Sequence, residues 1–451
     1  MKEVTFSMVT IALLSSSAVA AETLADAFKD GKTSGQIRAF YVDRTYEGNL
    51  ENNRNSLAVS GNLGFETAAL NGISAGVRFY TTHGIDIHSG GRSSANYDPS
   101  LYGDDFINSY SMVGEAFFNY KNNNTNLKIG RQKLDTPLAG SDDARMLPNL
   151  FEAVVLSNTD IQDTTLIGAH VTREAVGTFG NVYSLANTAN QQLSLQSGYG
   201  LGFKQGTTGR FTNVGTIALG DAGSDTSGVT AAAAIYKGVE GLTLQAWDYY
   251  AHDILNAVYL QGDYGFDAGS LKMKASAQAI TQSEVGDKLA GKVDSTYVAA
   301  KLGASSGPLS GYLAYSTTGS NDDTVTNGGI LTPWGGMPAF TQGMVTRHMF
   351  FADTDTTKVA ATYNFKETGV DVKASAYYTS FEVGKQATYG TTRNGIANAS
   401  GYTAKESGFD IQYNPTNIKN LNLRLRANYP TNFTGTDIDW SEYRLIANYN
   451  F

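Results

Sequence analysis

A chain of 451 residues can hold two or three ordinary domains, so length decides little, but 49 Gly, 26 Tyr, 21 Phe and only 8 Pro suit many strands and tight turns. A formal net charge of −9 argues against a nucleic-acid partner, which needs a basic field, and the lack of any Cys removes thiol catalysis, Cys-based zinc sites and disulfides. No stretch beyond the N-terminus approaches the roughly 18 to 20 apolar residues of a membrane-spanning helix, which excludes an α-helical membrane protein.

The chain opens on a secretory signal. Lys2, an apolar run from Val4 to Leu14 and the small-residue site Ala18-Val19-Ala20 predict cleavage after residue 20 and export from the cytoplasm. From Thr33 onward, strands of about ten residues follow one another. Ile73, Ala75, Val77 and Phe79 alternate with Ser74, Gly76, Arg78 and Tyr80, the period of a strand with one apolar and one polar face. Asn71-Gly72 separates this strand from the one before it and predicts a two-residue hairpin turn. The same reading places eighteen strands near 33–46, 55–68, 73–83, 109–121, 126–134, 151–158, 163–174, 229–237, 242–252, 256–267, 270–284, 292–304, 308–318, 357–366, 370–382, 405–414, 421–429 and 440–451. Within the long connection 175–228, Gly198 to Gln205 is a candidate additional short strand.

Connections alternate between short and long, the long ones including 84–108, 175–228, 319–356 and 383–404. Short turns on one rim and long loops on the other mark an all-β, transmembrane antiparallel β-barrel formed by residues 21–451. Aromatic residues support it: Phe118 and Tyr120, Tyr264 and Phe266, Tyr363 and Phe365, and Tyr413 end the apolar faces at the short turns, where a membrane interface lies. A soluble β-sandwich or β-helix predicts shorter strands and a core face of large aliphatics, whereas these apolar faces are rich in Ala, Gly and Tyr. The last strand carries Tyr443, Leu445, Ala447, Tyr449 and Phe451 on one face, and its terminal Phe resembles the signal by which outer-membrane barrels are recognised for assembly.

Chemical motifs are few. Gly72-Ile73-Ser74-Ala75-Gly76 matches the G-x-S-x-G string of serine hydrolases, but Ser74 continues a strand instead of sitting on a strand-to-helix turn. His83, His88, His170, His252 and His348 form no metal-ligand pair at helical or turn spacing and are read as surface and loop residues. The acidic pairs Asp104-Asp105, Asp322-Asp323 and Asp353 with Asp355 are placed in long loops, as a solvated rim in preference to a calcium site.

One segment is more specific. Gly130-Arg131-Gln132-Lys133-Leu134-Asp135-Thr136-Pro137-Leu138, continuing through Ser141-Asp142-Asp143-Ala144-Arg145-Met146-Leu147-Pro148 to Phe151-Glu152, resembles the hallmark of the OprD-type porins. The resemblance implies an eighteen-stranded channel in the Gram-negative outer membrane, narrowed by an inward-folded third external loop, here 135–150, and assisted by the seventh, here 319–356. Pro137 and Pro148 stiffen the constriction loop, while Asp142, Asp143 and Arg145 either fix it by ion pairs or face the solute. The long loops 175–228 and 319–356 match nothing family-specific, so the solute does not transfer.

Strand parity identifies the lumen lining. With Leu421, Leu423 and Leu425 toward lipid, Asn422, Arg424, Arg426 and Asn428 face inward; Arg444, Arg78, Lys373, Lys272 and Lys274 are on polar faces, and Arg38 is placed on the same wall. Because the last strand closes on the first, Arg424, Arg426, Arg444 and Arg38 become neighbours, a basic stripe that resembles the arginine ladder of the family. Inward acids such as Asp410 and Glu442 are the alternative, purely structural partners of these arginines. Parity turns Arg131 toward lipid, and its direction stays open.

The expectation is a passive channel for small polar or carboxylate-bearing solutes such as amino acids, with no cofactor, no metal and no catalysis. The rivals are an unselective general porin and, further off, an outer-membrane barrel hydrolase. Its partners are then the solutes, outer-membrane lipid and lipopolysaccharide, and the barrel assembly machinery. No feature decides whether three copies form a homotrimer.

Overall fold

The structure, a computed structural model, describes residues 21–48, 52–89, 96–102, 109–181, 209–219, 225–385, 387, 400–433, 435 and 438–451. The predicted signal segment and the Gly198 to Gln205 strand lie outside these residues, as do Asp104 and Asp105. Eighteen wall strands follow in chain order: β1 (Lys32–Gly48), β2 (Asn52–Glu66), β3 (Ile73–Ile85), β4 (Tyr110–Asn122), β5 (Thr125–Gln132), β6 (Leu150–Asn158), β7 (Thr164–Ala175), β8 (Val229–Tyr236) and β9 (Leu242–Ala251). The second half is β10 (Leu255–Ala268), β11 (Leu271–Glu284), β12 (Asp294–Ser306), β13 (Leu309–Thr318), β14 (Thr354–Asn364), β15 (Val372–Val383), β16 (Tyr402–Tyr413), β17 (Leu421–Thr431) and β18 (Ile438–Asn450).

Each strand pairs antiparallel with the next, and β1 pairs with β18 from Gln36 opposite Asn450 to Gly48 opposite Ile438, which closes the sheet. Closure satisfies the ladder of every strand, as a membrane interior requires. Period-two burial follows from it: Ile129, Val154, Leu302, Leu313 and Leu445 point outward and are exposed, while residues between them turn into the lumen. The girdle residues Phe118, Tyr120, Tyr264, Phe266, Tyr363 and Tyr413 are all outward and exposed. At the β2–β3 connection Asn71 and Gly72 both adopt positive φ, 52° and 82°, the backbone that a two-residue hairpin twisting with its strands demands.

Boundaries differ from the sequence reading by a few residues. β14 begins at Thr354 instead of 357, so Asp355 lies on a strand, accepting a 2.8 Å bond from the Tyr315 hydroxyl, and not in a loop. Strand pairing across to β13 extends the ladder past the point where apolar alternation fades. His83 and His170 likewise lie on strands. His348 is in a loop but wholly buried, stacked on Phe351 at 4.5 Å with Nε2 2.7 Å from the Phe433 carbonyl.

Eighteen strands about 4.8 Å apart and tilted about 40° enclose a backbone cylinder about 36 Å across. Such a lumen is far wider than a small solute, and the loops fill it. Numbering the loop-rim connections from β1–β2, loop 3 (133–149) and loop 7 (319–353) fold inside. Leu138 N–H reaches the Tyr249 hydroxyl of β9 at 3.4 Å, and Arg145 reaches Glu442 of β18 at 2.8 Å, so loop 3 crosses the lumen. Loop 7 lies on the opposite wall through Gln282, whose side chain exchanges 2.8 and 2.7 Å bonds with the Leu331 backbone, and through Gln278, which donates to the Pro338 carbonyl at 2.5 Å. The loops meet where Gly140 N–H donates to the Trp334 carbonyl at 3.0 Å.

Candidate functional site

The narrowed passage is built first by parity. On β17 the outward leucines leave Asn422, Arg424, Arg426 and Asn428 inward, and the register sets Arg426 between Asp410 of β16 and Arg444 of β18. Two arginines directly opposite each other are unfavourable unless acids compensate. Asp410 does so for two of them: Arg424 Nε is 2.8 Å from its Oδ1, and Arg426 Nε is 3.4 Å from its Oδ2. Glu442 is shared by three, at 2.6 Å from Arg44 Nη2, 2.8 Å from Arg145 Nη2 and 3.1 Å from Arg444 Nε. Arg38 holds Asn448 at 2.7 Å and Asp143 at 2.7 Å, and donates to the Arg145 carbonyl.

The structure therefore brings Arg38, Arg424, Arg426 and Arg444 onto one wall and then divides them by access. Side-chain exposure is 30% for Arg424 and 16% for Arg426, but 9% for Arg38, 1% for Arg444 and 0% for Arg145. The first two keep partial exposure on the inward side of the wall. The others are roofed by the loops, Arg444 by Met344 of loop 7, whose Sδ is 3.2 Å from Nη2. Lys373 faces inward on the row that runs through Gln412 to Arg424 and is exposed. Arg78 sits apart on β3, bonded to Asn62 at 2.7 Å and paired with Glu115 at 3.2 Å.

Within loop 3, Asp143 is exposed while Asp142 is turned toward loop 7, 3.8 Å from Arg347 and accepting from Gly336 N–H at 3.3 Å. Burial raises the Asp142 carboxyl above the ordinary carboxylate range, against the pull of Arg347. Burial likewise lowers the Arg145 guanidinium to about 10, against the raising effect of Glu442. Pro137 is buried under the loop junction. Pro148 lines a cavity of about 880 Å³ on the turn side of loop 3, walled by Arg78, Lys128 and Lys133 on one flank and by Trp247 and Tyr249 on the other.

Arg131 keeps its outward parity at the end of β5, where Glu152 at 2.9 Å and the Phe211 ring at 4.2 Å cover the charge. Sequence reading passed over Arg44, Lys128, Lys301 and Lys358, although each shares inward parity with residues it did place; Arg44 lies three inward positions from Arg38 on β1. Among the described residues no cluster of three His, Asp or Glu side chains is placed to hold a metal.

A family model described as outer membrane porin, OprD family, matches residues 25–451. The chain belongs to the OprD family of outer membrane porins. Solved relatives share the fold. The porin is similar to OccK9 (OpdG) of Pseudomonas aeruginosa at 19% identity and TM-score 0.73, over 94% of this chain and 99% of that one. It is similar to OpdK of the same organism, solved with vanillate, at 18% identity and TM-score 0.67, over 94% and 99%. It is also similar to OccK2 (OpdF), solved in complex with glucuronate, at 16% identity and TM-score 0.68, over 94% and 98%. No curated protein matches it in sequence. The porin is thus a passive outer-membrane channel, with its short turns toward the periplasm and its long loops outside.

Proposed function

We propose that this porin favours small carboxylate-bearing solutes, amino acids among them, and that Arg424 and Arg426 are the groups that draw the anionic end through the constriction. One observation carries the reading: the acids of this wall are outnumbered. Asp410, Glu442, Asp143 and Asp98 serve Arg424, Arg426, Arg44, Arg145, Arg444 and Arg38, four acids to six arginines, so positive charge is left over on this wall. Arginine suits the task, since its planar fork binds a carboxylate in two places and stays charged. Asp143, exposed at the rim, supplies the opposite sign for the ammonium of a dipolar solute. The relatives solved with vanillate and glucuronate carry carboxylate ligands, which agrees with this chemistry.

No catalysis is assigned. Ser74 of the G-x-S-x-G string sits on β3 with its hydroxyl on Glu66 Oε1 at 3.0 Å, in no strained turn. Export under a cleaved signal 1–20, contact of the exposed outer face with lipid and lipopolysaccharide, and recognition of Phe451 by the assembly machinery complete the proposal.

Replacing Arg424 and Arg426 by Ala tests it. Each charge about 7 Å from the centre of the passage is worth about 0.6 kcal/mol in a water-like medium and more beside a low-dielectric wall, against screening over about 8 Å. The cation-to-anion permeability ratio should rise about two- to tenfold, with slower carboxylate uptake and normal folding. An unchanged reversal potential in a salt gradient would mean the ladder is scaffolding and the channel an unselective one.

A further inference from the structure

Glu406 lies inward on β16, fully buried, and among the described residues no Lys or Arg comes within ion-pair distance of its carboxylate. Backbone amides satisfy it instead. Oε1 accepts from Met344 N–H at 2.5 Å, Oε2 accepts from Thr346 N–H at 2.7 Å, and Val345 N–H points at both at 3.4 and 3.3 Å. The Tyr377 hydroxyl donates to Oε1 as well. A run of consecutive amides closed on one anion is a nest, and here the anion belongs to the wall and the nest to loop 7.

The neighbouring residues of loop 7 are clipped to successive strands. Thr341 Oγ1 is 2.6 Å from Ser316 Oγ of β13, its carbonyl accepts from Thr379 of β15 at 2.9 Å, and Lys358 of β14 donates to the Gln342 carbonyl at 2.5 Å. Gly343 permits the close approach, since a Cβ there would lie 2.5 Å from Glu406 Oε2. The residue so placed next in the chain is Met344, the side chain that roofs Arg444.

We infer that Glu406 is a positioning residue for solute selection, a latch whose carboxylate captures the 344–346 amides and so holds Met344 of loop 7 across the arginine ladder. Position and charge are both needed. Glutamine has one acceptor oxygen and turns its NH2 toward an amide that also donates, so Glu406→Gln breaks the nest with almost no change in shape.

The test uses the full-length porin in planar bilayers together with a single introduced thiol, which a chain without Cys allows. Val345→Cys reports the loop, because position 345 is wholly buried in the latched state. Losing one charge-assisted bond of this type raises the released population about tenfold or more, so Glu406→Gln should raise maleimide labelling of the thiol at position 345 by that factor and increase conductance. Gly343→Ala should give the same result with the carboxylate intact, because its methyl group pushes the turn off the anion. Folded Glu406→Gln protein with unchanged labelling and conductance overturns the latch. Should that variant fail to assemble, folded Gly343→Ala with unchanged labelling overturns it equally. Labelling reads loop position whatever ions the pore prefers, so failure of the ladder proposal, seen as an unmoved reversal potential in Arg424→Ala/Arg426→Ala, stays distinguishable from failure of the latch.

Discussion

Glu442→Gln should convert a steady channel into a gating one. The carboxylate lies between Arg44, Arg145 and Arg444 at 2.6, 2.8 and 3.1 Å, and all four side chains have 1% exposure or less. Among the described residues the only other acid paired with these arginines is Asp98, 3.4 Å from Arg44. Removing one partner of a buried ion pair costs about 3 to 5 kcal/mol, most of it the charge left without compensation. Arg44 and Arg444 belong to β1 and β18 and cannot leave without opening the barrel, whereas Arg145 rides on loop 3 and can. The strain should therefore be relieved by loop 3, raising its displaced population by about two to three and a half orders of magnitude. Single-channel recording should show frequent excursions to a higher conductance while heat-modifiable migration in gels stays normal. Arg145→Met removes the surplus cation itself and should be much quieter, and adding it to Glu442→Gln should calm the double variant. A Glu442→Gln channel as steady as the parent, or a double variant as noisy as Glu442→Gln alone, would refute the argument.

Two further outcomes are expected. Asp142 has a folded pKa raised by burial, so in the window between the ordinary carboxylate value and the raised one the folded loop junction binds more protons than the released one. Stability of the loop 3–loop 7 contact then falls as pH rises through that window and is best on its acid side. Gating noise should increase as pH rises above the ordinary carboxylate range, and Asp142→Asn should flatten the trend; a parent channel with no pH trend would count against it. Deleting Phe451, whose backbone exchanges 3.0 and 2.8 Å bonds with Gly35 and whose ring stacks on Tyr449 at 6.4 Å, should remove folded barrel from membrane fractions, and normal levels of heat-modifiable protein would oppose that.

The wall was legible because its code is local. A period of two, a hairpin dipeptide such as Asn71-Gly72 and aromatic residues at strand ends each follow from a few consecutive residues, and together they gave all eighteen strands. Parity also placed Arg424, Arg426, Asp410 and Glu442 inward before any contact was known. It could not say that Arg444 and Arg145 are roofed while Arg424 is open, because that depends on where loops 3 and 7 settle, over sequence separations such as the 297 residues between Arg145 and Glu442. Glu406 illustrates the same limit: on β16 it reads as one more inward acid, and only the path of residues 341–346 gives it amide partners. Arg131, whose direction the sequence left open, shows a different limit: the element missing from the sequence was its partner, Glu152.

The filling of the lumen shows what anchors loops 3 and 7. Loops 3 and 7 bring Leu138, Ile330, Leu331, Trp334, Met337 and Phe350 into one buried apolar cluster with Trp247, Tyr249, Tyr259, Ile280 and Tyr297 of β9–β12. Burial at about 25 cal/mol per Å² of apolar surface makes that side of the barrel an ordinary hydrophobic core. The opposite wall, β16 to β18 and β1, has apolar contacts of its own, with Met146 and Leu147 of loop 3 packed among Phe40 and Val42 of β1 and Ile446 of β18, and adds guanidinium and carboxylate groups to them. Loop residues also reach it as charge partners, Arg145 and Asp143 of loop 3, and as amide donors, residues 344–346 of loop 7. The loops are therefore anchored by apolar burial on both sides and, at this wall, also by a few buried charge-assisted bonds. Changes in pore width should accordingly come from the polar contacts at Glu442 and Glu406, since those can be exchanged for hydration, while the apolar cluster stays packed in every open state.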